Sequence, residues 1–241
     1  MKKIVIIVGS SRKSEKSYSY KIAQIVKDKL EKCDHEYVCN IICLSDYYIS
    51  YCEGCMNCFQ KGKCIIDDEL KDIQKEMLEA IHVMFVSPVY VHDVPGIMKN
   101  FFDRLAYWTH IFKLLGKTSS SITVASSNGL IYVSDYQKKI LELLGTIYID
   151  GFDLTVDQPP MFIKENDLEI FLNYFIANII SGIENDIDLD KIELQSGTFE
   201  LYKKRYSKME EGFFESLTWN SDEALLKNTF LEAYRFRRKV C

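Results

Sequence analysis

No hydrophobic run in this chain approaches the length needed to cross a bilayer. Lys2-Lys3 followed by Ile4–Val8 superficially resembles a signal peptide, but the apolar stretch is too short. Gly9-Ser10-Ser11-Arg12 follows it at once, so the segment reads as a first strand, and the chain is expected to be cytoplasmic. There is no excess of positive charge. A net charge of −5 argues against nucleic acid or an anionic membrane surface as a partner. Repeats and low-complexity segments are absent. So is the Gly-Lys-Ser/Thr that would close a Walker A loop, and so is the G-x-G-x-x-G of a dinucleotide fold. No Ser-His-Asp arrangement or paired-carboxylate site stands out, and His35, His82 and His110 are too scattered for a metal pattern. Hydrolysis of a nucleoside triphosphate and triad chemistry are thereby excluded. Hydrophobic residues at 47% and charged residues at 27% give the balance of an ordinary soluble protein, long enough at 241 residues for a sizeable core.

The first half alternates short apolar runs with helical stripes, as parallel βαβ units do. Strands are expected at 3–8, 36–44, 81–87, 120–126 and about 147–151. Helices are expected over 20–31, from Asp67-Asp68 to about 79, as one long element over 96–115, and over 135–145. This is an α/β fold, a doubly wound five-stranded parallel sheet in a three-layer sandwich, spanning 1–155. Its ligands belong beyond the carboxyl ends of the strands, in the loops that start at Gly9, Ser45, Ser87 and Ser126. Past Pro159-Pro160 the pattern becomes helical: a stripe of Leu168, Phe171, Leu172, Phe175, Ile176 and Ile179, a stretch over 197–217, and a helix N-capped by Ser221. Residues 156–241 read as a C-terminal helical extension without a chemical motif, packing on the core or across a dimer.

The first loop, Gly9 to Ser19, is rich in hydroxyls and enters a helix, which makes an anion site; Arg12 adds a fork matching phosphate oxygens. A polar βα loop with a serine N-cap accounts for the same residues. Eight cysteines are unusual, and Cys52, Cys55, Cys58 and Cys64 crowd into one loop, where metal is favoured over disulfides in a reducing compartment.

Gly9-Ser10-Ser11-Arg12, Ser87-Pro88-Val89-Tyr90 and Lys99-Asn100-Phe101-Phe102-Asp103-Arg104 together resemble the NADPH-dependent FMN reductase group of the flavodoxin-like superfamily. Within it, Cys52-Glu53-Gly54-Cys55-Met56-Asn57-Cys58 followed by Cys64 looks like the compact cysteine motif of the iron-sulfur flavoproteins. The resemblance implies FMN, its phosphate at Ser10, Arg12 and Ser17 or Ser19. Its ring would lie along Pro88, Val89, Tyr90 and Val91 and the loop carrying Ser127, Asn128 and Gly129. Tyr107, Trp108 and Phe112 are expected in the core or an interface, and Lys99, Asp103 and Arg104 in helix orientation or surface pairs. Assembly as a homodimer or homotetramer is implied, with the aromatic helix near 101–112 as a contact.

The spacing Cys-x2-Cys-x2-Cys-x5-Cys matches what a [4Fe–4S] cluster needs, with Gly54 and Gly62 freeing the backbone to wrap. Structural zinc normally pairs two separated Cys-x2-Cys knuckles, and a metal-free loop is the remaining alternative. A cluster here would exchange electrons with FMN in the same or a partner subunit. The leading expectation is an iron-sulfur flavoprotein moving electrons between ferredoxin or NAD(P)H and a small-molecule or protein acceptor. The alternatives are a cluster-free NAD(P)H-dependent flavin or quinone reductase and a non-enzymatic flavin- or metal-binding regulator.

Overall fold

A computed structural model describes residues 1–33, 36–156, 165–185, 192–209 and 212–240. His35, Pro159-Pro160 and Cys241 lie outside the described residues. Five strands, β1 (Lys2–Val8), β2 (Tyr37–Cys43), β3 (His82–Pro88), β4 (Thr118–Ala125) and β5 (Ile147–Thr155), form one parallel sheet. The order β2-β1-β3-β4-β5 is that of flavodoxin-like folds, so the strand order switches between β1 and β3. The central strands are apolar on both faces because both faces are covered. In β1 and β3, Ile4 to Val8 and Val83 to Val86 are all fully buried.

On one face lies α1 (Tyr18–Cys33), whose stripe Ile22, Ala23, Val26 and Leu30 meets the sheet. Beside it runs α7 (Glu165–Glu184), burying Leu172, Phe175, Ile176, Ile179 and Ile183 in the same cluster. The first helix of the C-terminal segment is thus part of the sandwich. Phe171, expected in its apolar stripe, faces outward. The opposite face carries α3 (Leu70–Glu79), α4 (Gly96–Arg104), α5 (Ala106–His110) and α6 (Leu130–Leu143).

Several expected elements differ; the stretch expected over 197–217 is two helices, Glu193–Tyr206 and Phe214–Ser221. The helix over 96–115 breaks at Leu105, whose N–H is shared between the carbonyls of Phe101 and Phe102. The chain turns there because Phe101, Phe102 and Trp108 enter the main core while Ile111, Phe112 and Leu115 enter another one. That second core is closed by α8 (Glu193–Tyr206), α9 (Phe214–Ser221) and α10 (Phe230–Val240). Ser221 ends α9 instead of capping the next helix, and its hydroxyl donates to the carbonyl of Leu217 at 2.7 Å. Thr229 caps α10, its Oγ1 accepting the N–H of Glu232 at 3.2 Å. Finally, β4 begins at Thr118, earlier than its apolar residues indicate. Its serines are buried but paired: Ser119 with Thr146 and Ser121 with the Tyr148 hydroxyl, each at 2.7 Å.

Candidate functional site

The loops after β1, β2, β3 and β4 meet at the carboxyl edge of the sheet. The first leaves β1 through Gly9, where a Cβ would lie 2.8 Å from the Cβ of Met98, so only glycine lets α4 approach this closely. Ser10 is buried and its Oγ accepts the N–H of Arg12 at 3.2 Å. The carbonyl of Arg12 accepts the Ser45 hydroxyl at 2.9 Å, which pins the loop to the chain after β2. Ser17 caps α1, its Oγ accepting the N–H of Tyr20 at 3.2 Å, and Ser19 is buried in the same first turn. Lys13 is occupied by the Ser45 carbonyl and by Asp46. Buried hydroxyls at a long helix's N-terminus, with an exposed guanidinium beside them, fit the phosphate of FMN.

The loop after β3 holds two consecutive non-glycine residues at positive φ. Tyr90 and Asp93 exchange two N–H···O bonds, of 2.8 and 3.1 Å, around Val91 at φ 52° and His92 at φ 62°. Positive φ at both central residues is a geometry that Asn-Gly adopts readily, and it costs a β-branched valine about 1–3 kcal/mol. Val91 is nonetheless 98% exposed, with no packing to compensate. The loop after β4 presses against this turn: at Gly129, φ +84°, a Cβ would lie 2.9 Å from Val89 Cγ1. Ser127 and Asn128 are exposed at its tip, and the His92 and Tyr132 rings stack with centroids 5.5 Å apart. Pro88, Val89, Tyr90, Val91, Ser127, Asn128 and Gly129 are thereby brought to one edge.

The cysteine loop is anchored from α4. Asn100 Nδ2 donates to the carbonyls of Ile49 and Ser50, and its Oδ1 accepts the N–H of Cys52. Arg104 donates from Nη1 to the Ser50 carbonyl and to Asp68 Oδ2, both at 2.7 Å, and from Nη2 to Asp68 Oδ1 at 3.2 Å. The Arg104 and Asp68 side chains are only 1% and 2% exposed. Burial pushes the Asp68 carboxyl up, but Arg104 and the N–H groups of Ser50 and Leu70 outweigh it and hold the carboxyl below its ordinary value. Lys99 and Asp103 do form an exposed pair, whereas Arg104, expected with them, is a buried anchor. Asn100 and Arg104 sit one turn apart on α4, and nothing local in the sequence indicated that they face the cysteine loop.

Within the loop, Met56 adopts φ 60° and α2 (Asn57–Lys61) follows, ending at Gly62 with φ +73°. A Cβ on Gly62 would lie 2.5 Å from the Phe214 ring, so α9 seats directly on this turn. Cys58 and Cys64 are half-buried, while Cys52 and Cys55 face solvent. Among the described residues no three metal-ligating side chains meet. The four thiols expected as one ligand set are therefore not assembled here: the helical turn points Cys58 toward the core and leaves the preceding extended segment outside. Burial pushes the Cys58 thiol up, and the neighbouring Cys64 and Cys52 add to this against the Phe59 N–H.

The other candidates are structural. Burial pushes the Cys39 thiol up to about 12, and Cys43 is buried beside Ser45. His82 is fully buried between the Thr118 and Ser120 hydroxyls, at 2.8 Å each, and burial pushes it down to about 3, so it is neutral. His110 pairs with Glu215 of α9. Tyr107, Trp108 and Phe112 are buried within the chain, which removes them as contacts for a second copy. No helix among the described residues is long and apolar enough to cross a membrane.

Comparison with known proteins bears on the family and the fold. The family described as NADPH-dependent FMN reductase matches residues 2–159. An iron-sulfur flavoprotein of Archaeoglobus fulgidus is 30% identical over 168 residues, 69% of this chain and 74% of that protein. An iron-sulfur flavoprotein of Clostridioides difficile is 36% identical over 102 residues, 42% of this chain and only 44% of that protein. Among solved structures, RosB with a bound formylriboflavin phosphate intermediate aligns at TM-score 0.62 and 13% identity, covering 88% of this chain and 89% of that one. An NADH:FMN oxidoreductase aligns at TM-score 0.58 and 19% identity, covering 79% and 94%. At such identities the structures speak for the fold alone; the family match carries the assignment. The chain belongs to the NADPH-dependent FMN reductase family and is a flavin-dependent oxidoreductase of flavodoxin-like fold.

Proposed function

We propose that the protein passes electrons from a reduced donor, NAD(P)H or ferredoxin, through FMN to a small-molecule or protein acceptor. The observation that carries this reading is the strained, exposed Val91-His92 turn facing the Gly129 loop. Bound FMN would supply the exchange of one or two electrons. The chain's own part is to bind and orient. Ser10, Ser17, Ser19 and the α1 N-terminus receive the phosphate, and Arg12 closes over it from the solvent side. Pro88, Val89, Tyr90 and Val91 give one side of the ring site, and Ser127, Asn128 and Gly129 the other. Arg12→Ala removes one charge-assisted contact, about 1.5 kcal/mol, and should raise the FMN dissociation constant roughly tenfold in a fluorescence titration. An unchanged affinity would reject the phosphate assignment.

The same reading gives Cys52, Cys55, Cys58 and Cys64 the binding of a [4Fe–4S] cluster, supported by their spacing and by the names of the iron-sulfur relatives. The separation of the exposed from the half-buried thiols favours the second reading, a cluster-free NAD(P)H-dependent flavin or quinone reductase. Anaerobic purification with flavin, iron and sulfide assays separates the two. About four iron and four sulfide per chain supports the cluster. In that case Cys55→Ser should lose the cluster absorbance and keep FMN. Flavin without iron after anaerobic reconstitution, with NAD(P)H oxidised by a generic acceptor, selects the reductase. The protein is proposed to work in the cytoplasm as a homodimer or homotetramer.

A further inference from the structure

An open cavity of about 590 Å³ lies beyond the Val91-His92 turn, lined by His92, Asp93, Lys99, Tyr132 and Tyr136. None of these five is among the residues assigned to the phosphate or the ring of FMN, but two of them grow directly out of those loops. His92 follows Val91, and Tyr132 stands in the first turn of α6, just past Gly129. Gly129 packs so closely that a Cβ there would lie 3.3 Å from the Cα of His92. The two loops are thus fixed against each other. The His92 ring stacks 27° from parallel on the Tyr132 ring, which is itself 61% exposed. One turn further along α6, Tyr136 stands edge-on to Phe102, with its hydroxyl in the field of Lys99, Asp103 and Asp93. Burial pushes this hydroxyl up, Lys99 opposes that, and the two carboxylates add to it, so the phenol keeps its proton and can donate. Lys99 in turn is paired with Asp103 and also faced by Asp93. One ammonium between two carboxylates leaves the cavity with an excess of negative charge.

The aromatic walls suit a flat ring, and the hydroxyl and ammonium suit oxygens carried on that ring. The charge narrows the choice. A carboxylate or sulfonate on the ring, or the phosphates of a dinucleotide, would be repelled by Asp93 and Asp103, whereas an uncharged ring is not. We propose that this cavity seats the electron acceptor and selects an uncharged, flat aromatic molecule with ring oxygens against its anionic analogues. His92 and Tyr132 stack on the ring, Lys99 and Tyr136 donate to its oxygens, and Asp93 and Asp103 exclude negative charge. The inference rests on the reading of the neighbouring loops as the flavin edge and gives the acceptor of that reading a chemical class. It holds with or without a cluster on the cysteine loop.

The test is direct binding to the oxidised, FMN-loaded full chain without reductant, so that reduction potentials do not enter. Isothermal titration calorimetry compares hydroxymethylanthraquinone with anthraquinone sulfonate, which share one ring system, differ in charge and offer cysteine thiols no open ring position. The wild type should bind the uncharged compound about tenfold more tightly than the sulfonate. Tyr132→Ala should weaken the uncharged compound roughly five- to tenfold by removing a stacking partner. Asp93→Asn combined with Asp103→Asn should leave the uncharged compound's affinity unchanged and bring the sulfonate to within about threefold of it. All variants should keep the wild-type FMN affinity in a fluorescence titration. In protein that holds FMN, three results overturn the inference and leave the flavin reading intact: no binding of either compound, equal wild-type affinity for the two, or affinities that ignore the variants. Failure of the wild type to retain FMN overturns the flavin reading and the inference with it. Should Tyr132→Ala not fold, the double Asp→Asn variant decides alone.

Discussion

Asp68→Ala is expected to lower folding stability by about 3–5 kcal/mol, because it leaves the Arg104 guanidinium buried without its counter-charge. At 1% and 2% exposure neither partner can turn to solvent, so water offers no compensation. The substitution also removes the acceptor for the N–H groups of Ser50 and Leu70, one entering the cysteine loop and one starting α3. Urea unfolding at neutral pH measures the loss. A midpoint equal to the wild type's would mean that the pair contributes nothing net. The pH dependence has a definite sign. The Asp68 carboxyl is held below its ordinary value in the folded state, so the unfolded chain binds the proton more readily. Its stabilisation is therefore complete above the unfolded value, about 3.9, and is lost as the pH falls through it toward the folded value. Asp68→Asn should remove this share of the acid sensitivity while keeping the side chain's volume. The same variants should speed alkylation of Cys58 and Cys64, since Arg104 and Asp68 hold both ends of their loop through Ser50 and Leu70.

The elements that were legible in the sequence are those whose own residues state their burial. Ile4 to Val8 and Val83 to Val86 are apolar without interruption because both faces of a parallel sheet are covered, and they were found within a residue or two. The misread features depend on distant partners. Thr118 and Ser119 read as loop, yet each hydroxyl is satisfied across the sheet or by the next strand's entry. Arg104 read as orienting its helix or joining a surface pair, but Asp68, 36 residues away, makes its burial tolerable. The cysteine spacing was plain, whereas the attitude of its loop is set by Asn100 and Arg104 beneath and Phe214 above. Of the flavin edge, the serine-rich loop was visible as such. The strain at Val91 was not, because a valine in sequence gives no sign that its φ is positive.

The largest effect is expected from shortening the chain. A chain ending at Val156 loses α7 and with it five buried side chains, Leu172, Phe175, Ile176, Ile179 and Ile183. At roughly 2 kcal/mol each this is on the order of 10 kcal/mol, comparable with the whole stability of a domain. It also strips β4 and β5 of their cover on the α1 side, uncovering Ile122, Val124 and Leu154. Such a chain should accumulate as insoluble or unfolded material, and circular dichroism together with flavin retention would record it. A chain ending at Asn185 keeps α7 and should keep the sheet and FMN. It loses α8, α9 and α10, which uncovers Ile111, Phe112, Leu115 and Ile147 and removes the Phe214 ring that packs on Gly62. Its expected signature is self-association and faster thiol alkylation at Cys58 and Cys64, with flavin affinity little changed. If instead the chain ending at Val156 proves soluble, folded and flavin-bound, then α7 is dispensable to the sandwich and the C-terminal segment is separable in the sense its sequence first indicated.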